Sequence, residues 1–225
     1  MILLIVGILI IAEVLALLWL ASTVGTYKNY WLQKAKQPGE ITYLALGDSA
    51  AQGIGATSPK RGYVGLISEK LNEQSGKSVR IVNLSKTGAK MDDYLKEQAP
   101  KAKDIKADFV TIEIGANDVV AFDSAKYRSE FKKVLATLPD GTYVANMPLF
   151  NSRPSSTPKA KQASKIIQEE LKAYPKLNFV DLQKQTTENQ SIFGFAPDLF
   201  HPNNLSYKVW ADAFWQEVQK SIKND

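Results

Sequence analysis

The sequence predicts an α/β protein: a three-layer α/β/α sandwich with a parallel sheet of about five strands, preceded by one transmembrane helix. Three observations predict this architecture. From residue 41 onward, short apolar runs alternate with amphipathic stretches, as in repeated strand–helix units. These apolar runs lack a polar face, which is typical of parallel strands buried on both sides. A longer apolar run, at residues 2–24, precedes them.

The composition is that of a folded chain. Hydrophobic residues make up 44% of the 225 positions and aromatic residues 10%, which is enough to build a core and excludes a disordered protein. The chain has no cysteine, so it has no disulfide framework, thiolate nucleophile or cysteine metal site. Its single histidine, His201, excludes a multi-histidine metal site, and any imidazole chemistry must use that residue.

The first element is the apolar run, in which Glu13 is the only charged residue. As a helix, residues 2–24 would be about 34 Å long, enough to cross the hydrocarbon core of a bilayer. We interpret residues 1–26 as a membrane anchor that contacts membrane lipid through residues 2–24. A cleaved signal peptide fits less well, because the run is long and no basic residue precedes it. A buried core helix is the third alternative.

The next segment, residues 27–40, is predicted to be a juxtamembrane tether. Its aromatic residues Tyr27, Tyr30 and Trp31 suit the aromatic belt of a membrane interface. The remainder is polar and contains a Pro-Gly pair, which favours a linker. The domain proper is predicted to occupy residues 41–225.

Charge bears on both partners and orientation. The chain carries 28 basic against 23 acidic residues, a mild excess that suits anionic lipid or a cell-wall polymer and does not indicate nucleic acid. Lys28, Lys34 and Lys36 follow the apolar run. Taken alone, these lysines favour a cytoplasmic domain by the positive-inside rule.

Within the domain, five apolar segments are predicted strands and the amphipathic segments are predicted helices. The strands are expected at residues 41–46, 79–84, 109–114, 142–145 and 179–182. Three helices are predicted from apolar residues that share one helical face. The three sets are Val64, Ile67 and Leu71; Tyr127, Phe131, Val134, Leu135 and Leu138; and Ala160, Ala163, Ile167 and Leu171. A last helix is expected to begin near Asn203 and Asn204, where an asparagine can cap it.

Polar residues lie where the strands end. Ser49 closes a Gly-Asp-Ser sequence after the first strand, Gly88 follows the second, and Asn117 follows the third. Asp198 and His201 come just before the last helix. Because ligands of parallel α/β sheets bind outside the carboxyl ends of the strands, we expect these residues to meet at one edge of the sheet.

These residue types are those that acyl transfer requires, namely a hydroxyl nucleophile, a base, a group that orients the base, and donors for an oxyanion. Ser49 can supply the hydroxyl and His201 the base. Asp198, three residues before His201, can orient the imidazole through one tight turn. The N–H groups of Ser49 and Gly88 and the side-chain amide of Asn117 can serve as oxyanion donors. No metal or organic cofactor is needed for this chemistry.

The four blocks resemble those of the GDSL or SGNH hydrolase superfamily of serine esterases and lipases, named after residues that here match Ser49, Gly88, Asn117 and His201. The resemblance extends from about residue 41 to the C-terminus. It implies a flavodoxin-like fold, with Ser49 as nucleophile, His201 as base and Asp198 as its partner. It also implies an oxyanion hole formed by Ser49, Gly88 and Asn117.

The sequence departs from the family pattern at two places that bear on the substrate pocket. Ala50 stands where the family often has leucine, and Ala89 and Lys90 stand where many members have a polar residue such as aspartate or threonine. Neither departure alters the catalytic groups. Phe193 and Phe195 are candidates either for the wall of an acyl pocket or for core packing.

The resemblance therefore implies a membrane-anchored carboxylic ester hydrolase that forms an acyl-enzyme. Its substrate would be either an O-acyl group on a glycan or wall polymer, or a lysophospholipid or other acyl ester. The alternative is a catalytically inactive glycan- or lipid-binding module on the same fold, which the presence of every catalytic residue type disfavours. The resemblance and the lack of cysteine favour an extracytoplasmic domain over the cytoplasmic one indicated by the lysines.

Overall fold

The computed structural model describes residues 2–150 and 153–224. The strands are β1 (Ile41–Gly47), β2 (Val79–Asn83), β3 (Phe109–Glu113), β4 (Tyr143–Ala145) and β5 (Asn178–Val180). The longer helices are α1 (Ile2–Lys34), α3 (Tyr63–Ser75), α7 (Ser124–Leu135), α8 (Thr157–Leu171), α9 (Leu182–Asn189) and α10 (Asn204–Asn224). The shorter ones are α2 (Ser49–Gln52), α4 (Met91–Asp93), α5 (Ala99–Ala102) and α6 (Ala116–Val119), with a π-helical turn at Tyr94–Gln98 and 3₁₀ turns at Pro59–Arg61 and Pro154–Ser156.

The five strands form one parallel sheet in the order β2-β1-β3-β4-β5. This confirms the predicted fold class, and the first four predicted strands are correct to within one residue at each end. The fifth prediction, 179–182, begins one residue late and ends two residues late, because β5 ends at Val180. There the Asp181 side chain accepts a hydrogen bond from the Lys184 N–H and caps α9, a helix that the sequence did not predict.

Helices cover both faces of the sheet, as the three-layer prediction requires. One core cluster joins the sheet to α3 and α10, where the rings of Tyr63 and Phe214 stack 5.2 Å apart. The other joins the sheet to α7 and α8 through side chains such as Phe131 and Ile167. Since neither face of the sheet is left to solvent, its strands read as continuous apolar runs.

Helix α1 is one uninterrupted helix of 33 residues. From Val6 to Trp19 its apolar side chains are mostly exposed. Within the described residues, α1 is the one helix that is long and apolar enough to cross a membrane, a property shared by membrane anchors and signal sequences.

The second half of α1 packs on the domain. Tyr27 and Trp31 are almost fully buried. The Tyr27 hydroxyl donates to the carbonyl oxygen of Ala56 at 2.7 Å, and the indole N–H of Trp31 donates to the carbonyl oxygen of Gln52 at 3.0 Å. The aromatic-belt prediction is therefore wrong for these two residues, whose polar tips satisfy domain backbone groups rather than meeting lipid headgroups.

Candidate active site

The nucleophile turn follows β1 and depends on a glycine. Gly47 has a φ of +138°, and a Cβ on it would lie 2.1 Å from the carbonyl oxygen of Glu113 on the neighbouring strand. The next residue, Asp48, caps α2, since its Oδ1 accepts a hydrogen bond from the Ala50 N–H at 2.9 Å. These two local requirements place Ser49 as the first residue of α2, at the carboxyl end of the sheet.

The imidazole lies on the segment between α9 and α10, which we call the rim loop (residues 190–203). An antiparallel bridge between Phe195 and Pro202 closes this loop on itself. The Ala196 N–H donates to the carbonyl oxygen of His201 at 2.8 Å within the same bridge. A turn at Leu199, whose φ is +52°, folds Asp198 back toward the imidazole.

Three side chains from these two segments form a continuous hydrogen-bonded chain. Ser49 Oγ lies 2.9 Å from His201 Nε2, and His201 Nδ1 lies 2.5 Å from Asp198 Oδ2. The other carboxylate oxygen, Oδ1, accepts the N–H groups of Phe200 and His201 at 3.0 and 3.1 Å. The structure thus brings together three of the predicted site residues, although 152 positions separate Ser49 from His201.

The charge on Asp198 follows from these partners. Burial alone would raise the pKa of its carboxyl, but the hydrogen bond and charge of His201, with two backbone N–H donors, lower the pKa to about 2. Asp198 is therefore a carboxylate throughout the neutral range, in position to favour a protonated imidazole.

Two further carboxyl groups lie beneath the nucleophile. Asp48 is buried, and desolvation raises its pKa to about 6. Glu113, at the end of β3, is also fully buried, and desolvation and the neighbouring Asp48 raise its pKa well above the usual range. In the described part of the chain, neither oxygen of the Glu113 carboxyl has a hydrogen-bond partner. Sequence reasoning missed Glu113, although it is the one acidic residue within an otherwise buried strand.

Gly88 lies on the loop after β2, close to the nucleophile helix. The loop is held by Gln52 of α2, whose side chain donates to the Ser85 carbonyl oxygen at 3.0 Å and accepts the Thr87 N–H at 3.1 Å. Gly88 itself has a φ of +76°, and no atom lies within 4 Å of where a Cβ would be. Its backbone is therefore accessible from solvent.

Asn117 is the remaining predicted oxyanion donor, on the short helix after β3. Its side-chain amide donates to Asp48 Oδ2 at 3.2 Å and to the Ala89 carbonyl oxygen at 3.0 Å. Asn117 thus ties the nucleophile turn to the Gly88 loop. Both of its amide hydrogens are engaged in this structure.

A pocket opens beside Ser49 and His201. Its walls are mostly apolar and include Phe150, Phe195 and Phe200. Phe195 is therefore a pocket residue, as one of the two sequence alternatives proposed, whereas Phe193 is 75% exposed and neither lines the pocket nor packs in the core. Across the residues described, no cluster of three or more potential metal ligands occurs.

Solved structures with the same fold include several esterases. The lipase/acylhydrolase from Enterococcus faecalis superposes with a TM-score of 0.68 at 20% identity, over 80% of this chain and 96% of that one. Axe2, an acetylxylan esterase from Geobacillus stearothermophilus, gives a TM-score of 0.63 at 20% identity, over 80% and 94% of the two chains. At this identity the likeness establishes the fold. A comparison with curated proteins gave no match.

The sequence itself matches a family model. The model of the GDSL-like lipase/acylhydrolase family aligns with residues 45–209, which include the nucleophile turn, the Gly88 loop and the rim loop. The match spans well over half of the chain and coincides with the sheet and its helices. The chain therefore belongs to the GDSL-like lipase/acylhydrolase family and is a carboxylic ester hydrolase.

Proposed function

We propose that the protein is a membrane-anchored serine esterase in which Ser49, His201 and Asp198 form the catalytic triad. The observation that carries this proposal is the unbroken chain of hydrogen-bonding distances from Ser49 Oγ through both imidazole nitrogens to Asp198, beside an apolar pocket. A hydroxyl, an imidazole and an ionised carboxylate in this order are the requirements for activating a serine.

In the proposed reaction, His201 is neutral and its Nδ1–H donates to Asp198, which leaves Nε2 free to accept the Ser49 proton. Ser49 Oγ attacks the ester carbonyl carbon, and the resulting imidazolium is stabilised by the Asp198 carboxylate. His201 then donates that proton to the departing alcohol, which leaves an acyl group on Ser49. A water molecule, deprotonated by the same imidazole, hydrolyses the acyl-enzyme.

The proposed oxyanion hole consists of the N–H groups of Ser49 and Gly88 and the side-chain amide of Asn117. The open space at the Cβ position of Gly88 supports this assignment, because no side chain there obstructs a substrate. Asn117 donates one hydrogen to Asp48 Oδ2 at 3.2 Å, the longer of its two hydrogen bonds. We propose that the Asn117 amide gives up this hydrogen bond and donates the same hydrogen to the oxyanion when the tetrahedral intermediate forms.

The proposed substrates are the two classes that the sequence left open. One is an O-acyl group on a glycan or wall polymer, and the acetylxylan esterase from Geobacillus stearothermophilus has the same fold. The other is a lysophospholipid or related acyl ester. Residues 1–26 would act as the anchor. Residues 27–40, which continue α1 to Lys34 and pack on the domain, would join it directly to the domain at 41–225. We propose that this domain lies outside the cytoplasm.

A catalytically inactive binding module on the same fold is the competing proposal. It would have no need for the 2.9 Å approach of the imidazole to the serine hydroxyl, nor for a carboxylate on the opposite ring nitrogen. Both features are retained here, which favours an enzyme over a binding protein.

The decisive experiment replaces the nucleophile. We expect Ser49→Ala to lower kcat for a nitrophenyl acetate ester by several orders of magnitude, because the acyl-enzyme cannot form. The same change should abolish labelling by a fluorophosphonate probe. Steady-state kinetics and mass spectrometry of the labelled peptide measure the two effects.

Ser68→Ala is the matched control, since Ser68 lies on α3 and outside the pocket. It should keep both the wild-type rate and the label. Unlabelled wild-type protein, or near-normal hydrolysis by Ser49→Ala, would remove the catalytic proposal and leave the binding module.

A further inference from the structure

The anchor helix and the domain are joined without a spacer. Leu20 of α1 is already buried, in a small apolar cluster with Ile54 and Ala196. The exposed apolar run of α1 ends at Trp19, and the first basic residue of the helix is Lys28. A membrane helix leaves the hydrocarbon core where its apolar run gives way to polar and charged residues, so Leu20 lies near that boundary. The domain therefore meets α1 at the level where the helix leaves the lipid, and it has no room to stand away from the bilayer.

The part of the domain that meets α1 at this level borders the active site. Ile54 comes two residues after the nucleophile helix α2, and Ala196 lies on the rim loop. Through the bridge of that loop, the Ala196 N–H is bonded to the carbonyl oxygen of His201. Leu20 thus shares an apolar cluster with a residue that is one backbone hydrogen bond away from the proposed catalytic base.

The rim loop also exposes large apolar side chains. Ile192 is 78% exposed and Phe193 75% exposed, side by side at the tip of the loop. Their backbone is fixed, because the Phe193 N–H donates to Ser191 Oγ and the Phe193 carbonyl oxygen accepts the side-chain amide of Asn203 at 2.6 Å. The two side chains are therefore held outward by an ordered loop, and exposing them to water would be unfavourable.

The charge pattern of the loop agrees with an apolar environment. From Ser191 to Pro197 the sequence contains no charged residue. The one carboxylate of the loop, Asp198, is turned inward and bonded to His201. Isoleucine and phenylalanine without neighbouring charges are typical of surfaces that enter the interfacial region of a bilayer.

We propose that the tip of the rim loop, Ile192 and Phe193, enters the surface of the same bilayer that α1 crosses, and that the active site takes an acyl ester from that membrane. This inference rests on the proposed esterase function and anchor, and it selects the lipid-borne substrate from the two classes above. Continuity supports a bilayer as the partner, since Ala196 of the loop and Leu20 of α1 belong to one apolar cluster at the level where that helix enters lipid. A soluble polymer would have no reason to require both features together.

The position of the loop can be measured without reference to activity. Because the chain has no cysteine, a single introduced cysteine carries the only thiol label. In the full-length protein, reconstituted in phosphatidylcholine–phosphatidylglycerol vesicles, a fluorophore on Phe193→Cys should be quenched by lipids that carry a nitroxide at a shallow acyl position. Leu9→Cys, on the exposed apolar part of α1, is the positive control.

The matched negative control is Ile222→Cys. Ile222 is also an exposed apolar residue, 55% exposed against 75% for Phe193, but it lies about 27 Å along α10 from the rim loop. Quenching at positions 9 and 193 but not at 222 supports the proposal. Quenching at position 9 alone overturns the proposal, because the loop is then covered by water or by a second copy of the chain. If position 9 is not quenched either, the membrane anchor is overturned as well.

Catalysis gives the second test. Each variant is assayed on a soluble acetyl ester and on a lysophospholipid held in the vesicles, and the result is the ratio of the lipid rate to the soluble rate. We expect Ile192→Ser with Phe193→Ser to lower this ratio by at least about tenfold, because two apolar groups leave the lipid interface. Ile222→Ser should leave the ratio at the wild-type value.

The outcomes separate this inference from the proposed function. Hydrolysis of the soluble ester but not of the vesicle lipid by wild-type protein overturns the membrane substrate and leaves the esterase intact. An unchanged ratio in the double variant overturns the role of the loop tip. Failure to hydrolyse either ester overturns the proposed function itself.

Discussion

Two acidic regions flank the Ser49–His201 pair, and they differ in charge state. On the rim loop, Asp198 has a pKa lowered to about 2. Beneath the nucleophile turn, Asp48 has a pKa raised to about 6. Asp48 is fully buried and Asp198 only partly, so the desolvation that raises the pKa is stronger at Asp48, and the donors of each carboxyl add to the difference. Asp198 has an imidazole and two backbone N–H donors, whereas Asp48 has one N–H, a side-chain amide and a second buried carboxyl nearby.

The comparison teaches that the charge of a carboxyl in this site is decided by its burial and its donors together. A charged imidazole partner and two N–H donors keep Asp198 ionised, which is what an orienting partner of a catalytic base requires. Beneath Ser49, complete burial raises the pKa of both Asp48 and Glu113, and Asp48 loses its proton only near pH 6. Three substitutions test this difference, in order of decreasing effect.

The largest effect is expected from Asp198→Asn. The asparagine preserves size but removes the charge and favours the wrong imidazole tautomer, so kcat for a soluble ester should fall by roughly 10³- to 10⁴-fold. Steady-state kinetics on purified protein measure it. Asp212→Asn, which removes a carboxylate from an exposed ion pair with Lys70 on the surface of α10, should leave kcat unchanged. A loss of less than tenfold for Asp198→Asn would show that its charge does not support the imidazole.

A smaller, pH-dependent effect is expected from Asp48→Asn. Because folding raises the pKa of Asp48 to about 6, the folded state holds this proton more tightly than the unfolded chain. Its contribution to stability is therefore complete below about pH 4 and is lost as the pH rises through about 6, a change of up to about 3 kcal/mol. Asp198, with its pKa lowered to about 2, contributes a constant amount over this range.

The measurement is urea unfolding of wild-type protein and Asp48→Asn at pH 4 and pH 7, in the same detergent. The difference in unfolding free energy between the two proteins should shift in favour of the variant as the pH rises. Using the difference cancels the titration of other groups, among them Asp118, whose pKa burial also raises to about 6. An identical difference at both pH values would contradict a raised pKa for Asp48.

The sequence could predict the features that depend on local patterns, but not those that depend on contacts between distant segments. The sheet and the positions of Ser49 and His201 followed from local patterns, since apolar runs end in glycine and polar residues at the edge of a parallel sheet. The role of Glu113 was hidden, because its surroundings come from segments distant in sequence. Tyr27 and Trp31 were wrongly assigned to a membrane interface, because a tyrosine or tryptophan suits a membrane interface and a helix–domain contact equally well. Only the tertiary structure shows which of the two surroundings each residue has.

The smallest effect is expected from Glu113→Gln. Desolvation and Asp48 raise the pKa of Glu113 well above the usual range, so its carboxyl is neutral at pH 7 and a glutamine of the same shape replaces it with little loss. We expect the free energy of unfolding at pH 7 to change by less than about 1 kcal/mol. Glu113→Ala should cost more, about 2 kcal/mol or above, because it leaves a cavity beneath Ser49. A glutamine variant as unstable as the alanine variant would contradict the expectation that an uncharged side chain of the same shape can replace Glu113.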